Sequence, residues 1–164
     1  MRFQPKTEDE LKTENLWKAG EYGFEVVQEV TLGTNTMTTR DAISKVKEDG
    51  SGGNEMIQLV LKVFNDEGHS IYLMDYLLES AGKKLRNAAI ACGLLSKYET
   101  GELCADDFVG KTGNIKLKIQ SGKEKKDEPG EKYPDRNAVA GYLAGFNGMK
   151  AQAPANTTSD EIPF

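Results

Sequence analysis

The chain is poor in the residues that most catalytic and metal chemistry requires. Its 164 residues include one histidine, His69, two cysteines, Cys92 and Cys104, and one tryptophan, Trp17. Three Cys and His side chains fall short of the four ligands of a structural zinc site. No nucleophile–base pair and no cofactor motif stands out. With a single histidine, catalysis would have to rest on carboxylates and a metal, and the acids are scattered. The expectation is a non-enzymatic protein without cofactor or metal. Both cysteines read as reduced structural residues of a reducing compartment. No apolar run approaches the ~18 residues of a membrane span, and Met1-Arg-Phe-Gln-Pro-Lys6 lacks the apolar core of a signal peptide. The expected location is cytoplasmic, with no membrane partner. Apolar residues make up only 38%, and mean hydropathy is −0.56, so part of the chain is expected to stay outside any core. The net charge of −5 has the wrong sign for a nucleic-acid binder, unless the charges are segregated.

The most structured signal lies between Asn54 and Tyr76. Ile57, Leu59, Leu61 and Val63 alternate with Met56, Gln58, Val60, Lys62 and Phe64, the period-two pattern of a strand. Asn65-Asp-Glu-Gly68 is a turn, because Asn and Gly tolerate positive φ. A second strand returns with Ile71 and Leu73 on one side and Tyr72 and Met74 on the other. One face of this hairpin is apolar. The other mixes a lysine, an amide and aromatics, which suits binding better than burial.

Around the hairpin the order is regular. Residues 1–19 form a polar arm with a helical patch over Thr7–Leu16, opened by the capping-box pattern Thr7-Glu-Asp-Glu10; Trp17 reads as its packing anchor. Gly20–Leu32 is a first strand interrupted at Gln28, where a bulge would bend it into another sheet. The link 33–53 is too long for an ordinary connection and is expected to be a functional or disordered loop; it carries Arg40, Lys45 and Lys47. After the hairpin, Leu77–Leu95 reads as a helix, with Leu85, Ala88, Ala89 and Cys92 at helical spacing and Gly93 near its end. A looser stretch follows to Asp107. The run Gly110-Lys-Thr112 is not a phosphate loop: position 105 is Ala, and a strand rather than a helix follows. That strand, Asn114–Gln120, sets Ile115, Leu117 and Ile119 against Lys116 and Lys118. Residues 121–135 form a polar loop, and Arg136–Tyr142 a last strand. Between Lys111 and Arg136 eight basic residues face five acidic ones, so this part is positive in a negative chain. Residues 143–164 are too polar to order themselves and end in Asp160-Glu161-Ile162-Pro163-Phe164.

Five strands with one helix between the third and fourth is the order of an OB-fold, a partly open Greek-key barrel that takes oligonucleotides or oligosaccharides on strands two and three and the loops between strands one and two and four and five. The expected organisation is therefore mainly β: an N-terminal arm over 1–19, a five-stranded OB-fold barrel over 20–142, and a disordered acidic tail over 143–164.

Several segments together resemble a family of bacteriophage OB-fold single-stranded DNA-binding proteins: Gly20-Glu-Tyr-Gly-Phe-Glu-Val26, Gly53-Asn-Glu-Met-Ile57, Asp66-Glu-Gly68 and Tyr133-Pro-Asp-Arg-Asn137. The resemblance spans roughly residues 16–142. Separately, Ser159-Asp-Glu-Ile-Pro-Phe164 resembles the Asp-Asp-Ile-Pro-Phe tip of bacterial single-stranded DNA-binding proteins, with Glu161 keeping the charge of the second Asp. The resemblance implies sequence-independent binding and protection of single-stranded DNA in phage replication and recombination within the host cytoplasm. It further implies a tail through which Asp160, Glu161, Ile162, Pro163 and Phe164 recruit host or phage replication and repair proteins. Such proteins neutralise phosphates with basic side chains and stack bases on aromatic rings. The residue types place Phe64, Tyr72, Tyr76 and Tyr133 as stacking candidates. Arg40, Lys45, Lys47, Lys62, Lys116, Lys118 and Arg136 are the candidates to track the backbone. An adaptor whose barrel binds protein is the alternative reading.

Overall fold

The computed structural model describes residues 1–7 and 16–144. Most of the expected arm helix and all of the tail tip, Asp160 to Phe164, lie outside the described residues.

The chain is mainly β, built on an antiparallel sheet with a few short helices. The strands are β1 (Gly20–Val27), β2 (Glu29–Leu32), β3 (Asn35–Thr38), β4 (Arg40–Ile43), β5 (Glu55–Phe64), β6 (Ser70–Leu78), β7 (Thr112–Gln120) and β8 (Arg136–Tyr142). The helices are α1 (Gly82–Ala91), α2 (Leu95–Thr100) and α3 (Ala105–Phe108). Along the main sheet the order is β6-β5-β1-β7-β8. The five expected strands are present, and three short ones add to them.

Strand β5 organises the sheet. One edge pairs with β6 over its length, from Met56↔Leu78 to Phe64↔Ser70. The other edge is shared: β1 takes Val60 to Phe64, and β4 takes Glu55 to Gln58. The chain leaves this edge at Gln28, forms the separate two-stranded sheet β2–β3, and returns at Arg40. The interruption at Gln28 does divert the strand into another sheet. The expected long loop is corrected here, since much of 33–53 is hairpin. Its β3 and β4 are four residues each and are fixed by their partner strands.

Thr39 closes the junction. Its hydroxyl donates to the Val27 carbonyl at 2.7 Å and accepts the Val60 N–H at 2.9 Å. The side chain is 1% exposed, so both backbone groups would otherwise be buried without partners.

Alternation holds on the core side. Phe24, Val26, Leu59, Leu61, Val63, Ile115 and Leu117 are buried on one face, under Ala88, Ala89 and Cys92 of α1 and Phe108 of α3. Ile119 shares this face by register, as expected, but is 45% exposed near the end of β7. The expected helix over Leu77–Leu95 is also corrected. Leu77 and Leu78 belong to β6, a 3₁₀ turn covers Glu79–Ala81, and the helix begins at Gly82. Leu77 is buried opposite Ile57, and this pairing holds the backbone extended. Gly93, at φ +74°, ends the helix as expected. The stretch expected to be loose contains α2 and α3. Asp107 caps α3 from within, and Asp41 on β4 accepts the Ala105 N–H at 3.0 Å.

No ladder joins β6 to β8 among the described residues. The two edges meet instead through side chains. Asp75 on β6 accepts the Tyr142 hydroxyl of β8 at 2.7 Å and the Lys84 ammonium of α1 at 2.7 Å. Tyr142 is buried, and burial beside the Asp75 carboxylate pushes its hydroxyl pKa well above the usual value.

Candidate nucleic-acid interface

Residues directly opposite one another in an antiparallel pair share a face. The register therefore sorts the candidate residues. Lys62 lies opposite Tyr72, Gln58 opposite Tyr76 and Phe64 opposite Ser70. Arg40 also lies opposite Gln58. Across β1, Glu25 faces Lys62 and Glu21 faces Lys116. On the last pair, Lys116 faces Gly141, Lys118 faces Ala138 and Gln120 faces Arg136. Arg40, Lys62, Phe64, Tyr72, Tyr76, Lys116, Lys118 and Arg136 thus occupy one face of the sheet, opposite the core. From Gln58 to Phe64 β5 spans about 20 Å, at about 3.3 Å per residue, with Gln58 and Val60 buried and only Lys62 and Phe64 partly open on this face.

Exposure differs along the face. Arg40, Lys116, Lys118 and Arg136 are exposed, and Tyr76 is 40% exposed. Lys62, Phe64 and Tyr72 are half-buried. The Lys62 ammonium lies 5.5 Å from the centre of the Phe64 ring, a cation–π geometry that holds ring and charge together. Glu25 and Glu21 temper the charge of Lys62 and Lys116. Lys118, Arg136 and Arg40 have uncharged residues opposite them, so no facing acid tempers their charge.

The β7–β8 end continues into residues 121–135, which form a hairpin-like extension of β7 and β8 with a bridge between Glu124 and Lys132. Tyr133 N–H donates to Lys123 O at 2.8 Å, and Lys125 N–H to Glu131 O at 2.8 Å. Gly122 is required: a Cβ there would fall 1.6 Å from the Tyr133 carbonyl oxygen. The extension encloses a cleft of about 800 Å³ lined by Lys123, Lys125, Lys126, Tyr133 and Arg136, with Glu124, Asp127 and Glu128 also present. Tyr133 is 57% exposed, with the Lys125 ammonium 5.5 Å from its ring centre. Lys123, Lys125 and Lys126 lie outside the strand-face candidates. Their segment, 121–135, carries four basic and five acidic residues, so charge alone does not single them out.

Lys45 and Lys47 do not join the strand face. They sit exposed on the turn between β4 and β5, at the opposite end of β5 from Phe64. This turn is ordered by Ser44 N–H to Asn54 O at 2.8 Å and Lys47 N–H to Ser51 O at 2.7 Å. Hydrogen bonds from the Ser51 hydroxyl and backbone hold the Asp49 carboxyl below its usual pKa.

Trp17 packs half-buried against the core and lies 5.3 Å from the Tyr22 ring centre. The Asn137 side chain accepts the Trp17 N–H at 2.9 Å and donates to the Trp17 carbonyl at 2.8 Å, pinning the arm to β8. Its position is that of the expected anchor.

Among the described residues, no group of three or more His, Cys, Asp or Glu side chains is arranged to hold a metal ion, and no helix is long and apolar enough to cross a membrane. Cys92 is buried, and burial pushes its thiol up to about 12 against the opposing charge of Lys111. Compared with family models, curated proteins and solved structures, the chain has no match.

Proposed function

We propose that the chain binds single-stranded DNA without regard to sequence, and coats and protects it during phage replication and recombination in the bacterial cytoplasm. One observation carries this reading: the register gathers eight basic and aromatic candidates on a single sheet face, ending at a lysine-lined cleft. The lysines and arginines neutralise phosphates and release counterions. Exposed rings stack on bases, each worth about 1–3 kcal/mol. A strand face carrying lysines and arginines, with no helix presented to a major groove, favours an unpaired strand over sequence readout in a duplex.

The strand order supports an OB-type barrel opened along the seam between its third and fifth strands, β6 and β8, with α1 spanning the two. In this reading the β5–β6 hairpin is the ligand platform. The insertion between β1 and β5 and the 121–135 extension flank it. The acidic Ile-Pro-Phe tip recruits replication or repair proteins, its aromatic ring and acids suiting an apolar pocket with a basic rim.

The test is retardation of oligo(dT) in a gel, at several salt concentrations. Binding that is indifferent to base composition and falls steeply with salt supports the proposal. A chain that leaves oligo(dT) unretarded at low salt is an adaptor whose sheet face meets protein, and the DNA-binding reading fails.

A further inference from the structure

At the start of β5, away from Phe64, lies a second concavity of about 400 Å³, within the size range of about 300–1,000 Å³ typical of binding pockets. Its apolar lining comes chiefly from Leu77, Leu85, Tyr98 and Leu103. The last three are only partly buried, so their remaining surface is available to a partner. Asp41, Glu55 and Glu79 line the same groove, and no lysine or arginine does. Three carboxylates repel a phosphate backbone, so this site is unsuited to nucleic acid. It asks for an apolar side chain flanked by positive charge.

The chain itself contains such a segment. Met1-Arg-Phe-Gln-Pro-Lys6 combines a ring with basic residues, and Phe3 is 74% exposed. Residues 1–7 are all exposed, so within one molecule the segment does not fill the chain's own groove. Pro5 limits the conformations lost on docking. We propose that the N-terminal segment of one copy docks in this groove of a second copy, with Phe3 against the apolar lining and Arg2 among the carboxylates. The contact is head-to-tail, a geometry that propagates along a row of copies rather than closing on itself. It stands apart from the DNA-binding reading, and its readout needs no DNA.

A contact this small is weak, so the measurement is sedimentation equilibrium of the full chain from about 10 μM to about 1 mM. The variants are Arg2→Glu, Phe3→Ala and the double variant Glu55→Lys with Glu79→Lys. All four side chains are exposed, and circular dichroism checks that each variant keeps the fold. The wild-type chain should self-associate with rising concentration, and each variant should weaken this by at least about tenfold, through lost burial or like-charge repulsion. Mixing the Arg2→Glu chain with the Glu55→Lys/Glu79→Lys chain should restore association between unlike copies, because the intact segment of the second meets the intact groove of the first. A wild-type chain that stays monomeric to the top of the range overturns the proposal. So does association that the variants leave unchanged, or a mixture that is no stronger than either variant alone.

Discussion

Removing the Asp75 carboxylate should loosen the seam between β6 and β8. One Asp75 oxygen accepts the Tyr142 hydroxyl and the other the Lys84 ammonium, both at 2.7 Å. The two bonds are not equal. Tyr142 is 4% exposed, so its hydroxyl has no ready substitute in water, whereas Lys84 is 34% exposed. A hydrogen bond to a charged group contributes about 1.5–3 kcal/mol, and a buried donor left unpaired costs about 1–3 kcal/mol. A solvent-screened ion pair contributes about 0–1 kcal/mol. Asp75→Ala should therefore destabilise by about 2–4 kcal/mol, Tyr142→Phe by about 1–2 kcal/mol and Lys84→Ala by at most about 1 kcal/mol. Tyr142→Phe keeps the ring that meets Phe24 edge-on at 5.8 Å, so its loss isolates the hydroxyl. The assay is urea unfolding followed by the fluorescence of Trp17, whose backbone is held to β8 by Asn137. The double variant Asp75→Ala with Tyr142→Phe should be less destabilised than the sum of its parts by about 1–2 kcal/mol, because both changes break the one Asp75–Tyr142 bond. Strict additivity, or a Lys84→Ala loss equal to that of Asp75→Ala, would refute the assignment of this node to Tyr142.

Four further outcomes follow from particular residues. Lys116→Ala with Lys118→Ala should weaken oligo(dT) binding and lower the salt slope by up to ~2, one unit per phosphate contact, as read by titration at several salt concentrations; an unaltered slope in a folded variant assigns the wrong face. Thr39→Val, of similar shape, should cost about 1–3 kcal/mol in urea unfolding by stranding Val60 N–H and Val27 C=O. In the native chain a disulfide thiol reagent should titrate exposed Cys104 and leave Cys92 unreacted until the protein unfolds; because the folded Cys92 thiol titrates at about 12 against an ordinary 9.0, its contribution to stability is full below about pH 9 and is lost as pH rises towards 12, and Cys92→Ala should flatten that part of the stability curve. Deleting residues 159–164 should leave the fold intact, tighten oligo(dT) binding at low salt and abolish capture of tail-reading host proteins, since the tip carries acids that compete for a positive face; retained capture would remove the recruiting role.

Legibility in the sequence tracked burial contrast. The alternation of β5 and the Asn65–Gly68 turn were readable because one face is wholly apolar. Gly68 takes φ +85°, and the Asn65 side chain accepts both the Glu67 and His69 N–H groups. The last strand was readable to its ends. The start of α1 was not, since Leu77 and Leu78 fit a helical stripe as well as a strand and no side chain caps Ala81. Strands β3 and β4, Asn-Thr-Met-Thr and Arg-Asp-Ala-Ile, carry little alternation, and pairing across the chain decides them. For the candidate site, residue type picked the strand-face lysines and aromatics. Their opposing acids Glu25 and Glu21 required the register, and Lys45 and Lys47 were grouped with the face only by charge. The Asp75–Tyr142 contact, between residues 67 apart, leaves no local mark.

The β2–β3 hairpin hydrogen-bonds to itself as a separate sheet, and its base is already closed by Thr39 N–H to Gln28 O at 2.9 Å. Its two-residue tip, Gly33-Thr34, is exposed. The six residues 31–36 are all exposed and form a replaceable end, whereas Thr38 must stay, because its carbonyl accepts the buried Gln58 side-chain amide of β5 at 2.7 Å. This end can be shortened, lengthened or replaced by a graft without breaking a rung of the main sheet, at the small cost that loop length adds. A fluorophore or affinity peptide placed at that tip would ride on the protein while leaving β5 and its neighbours as they are.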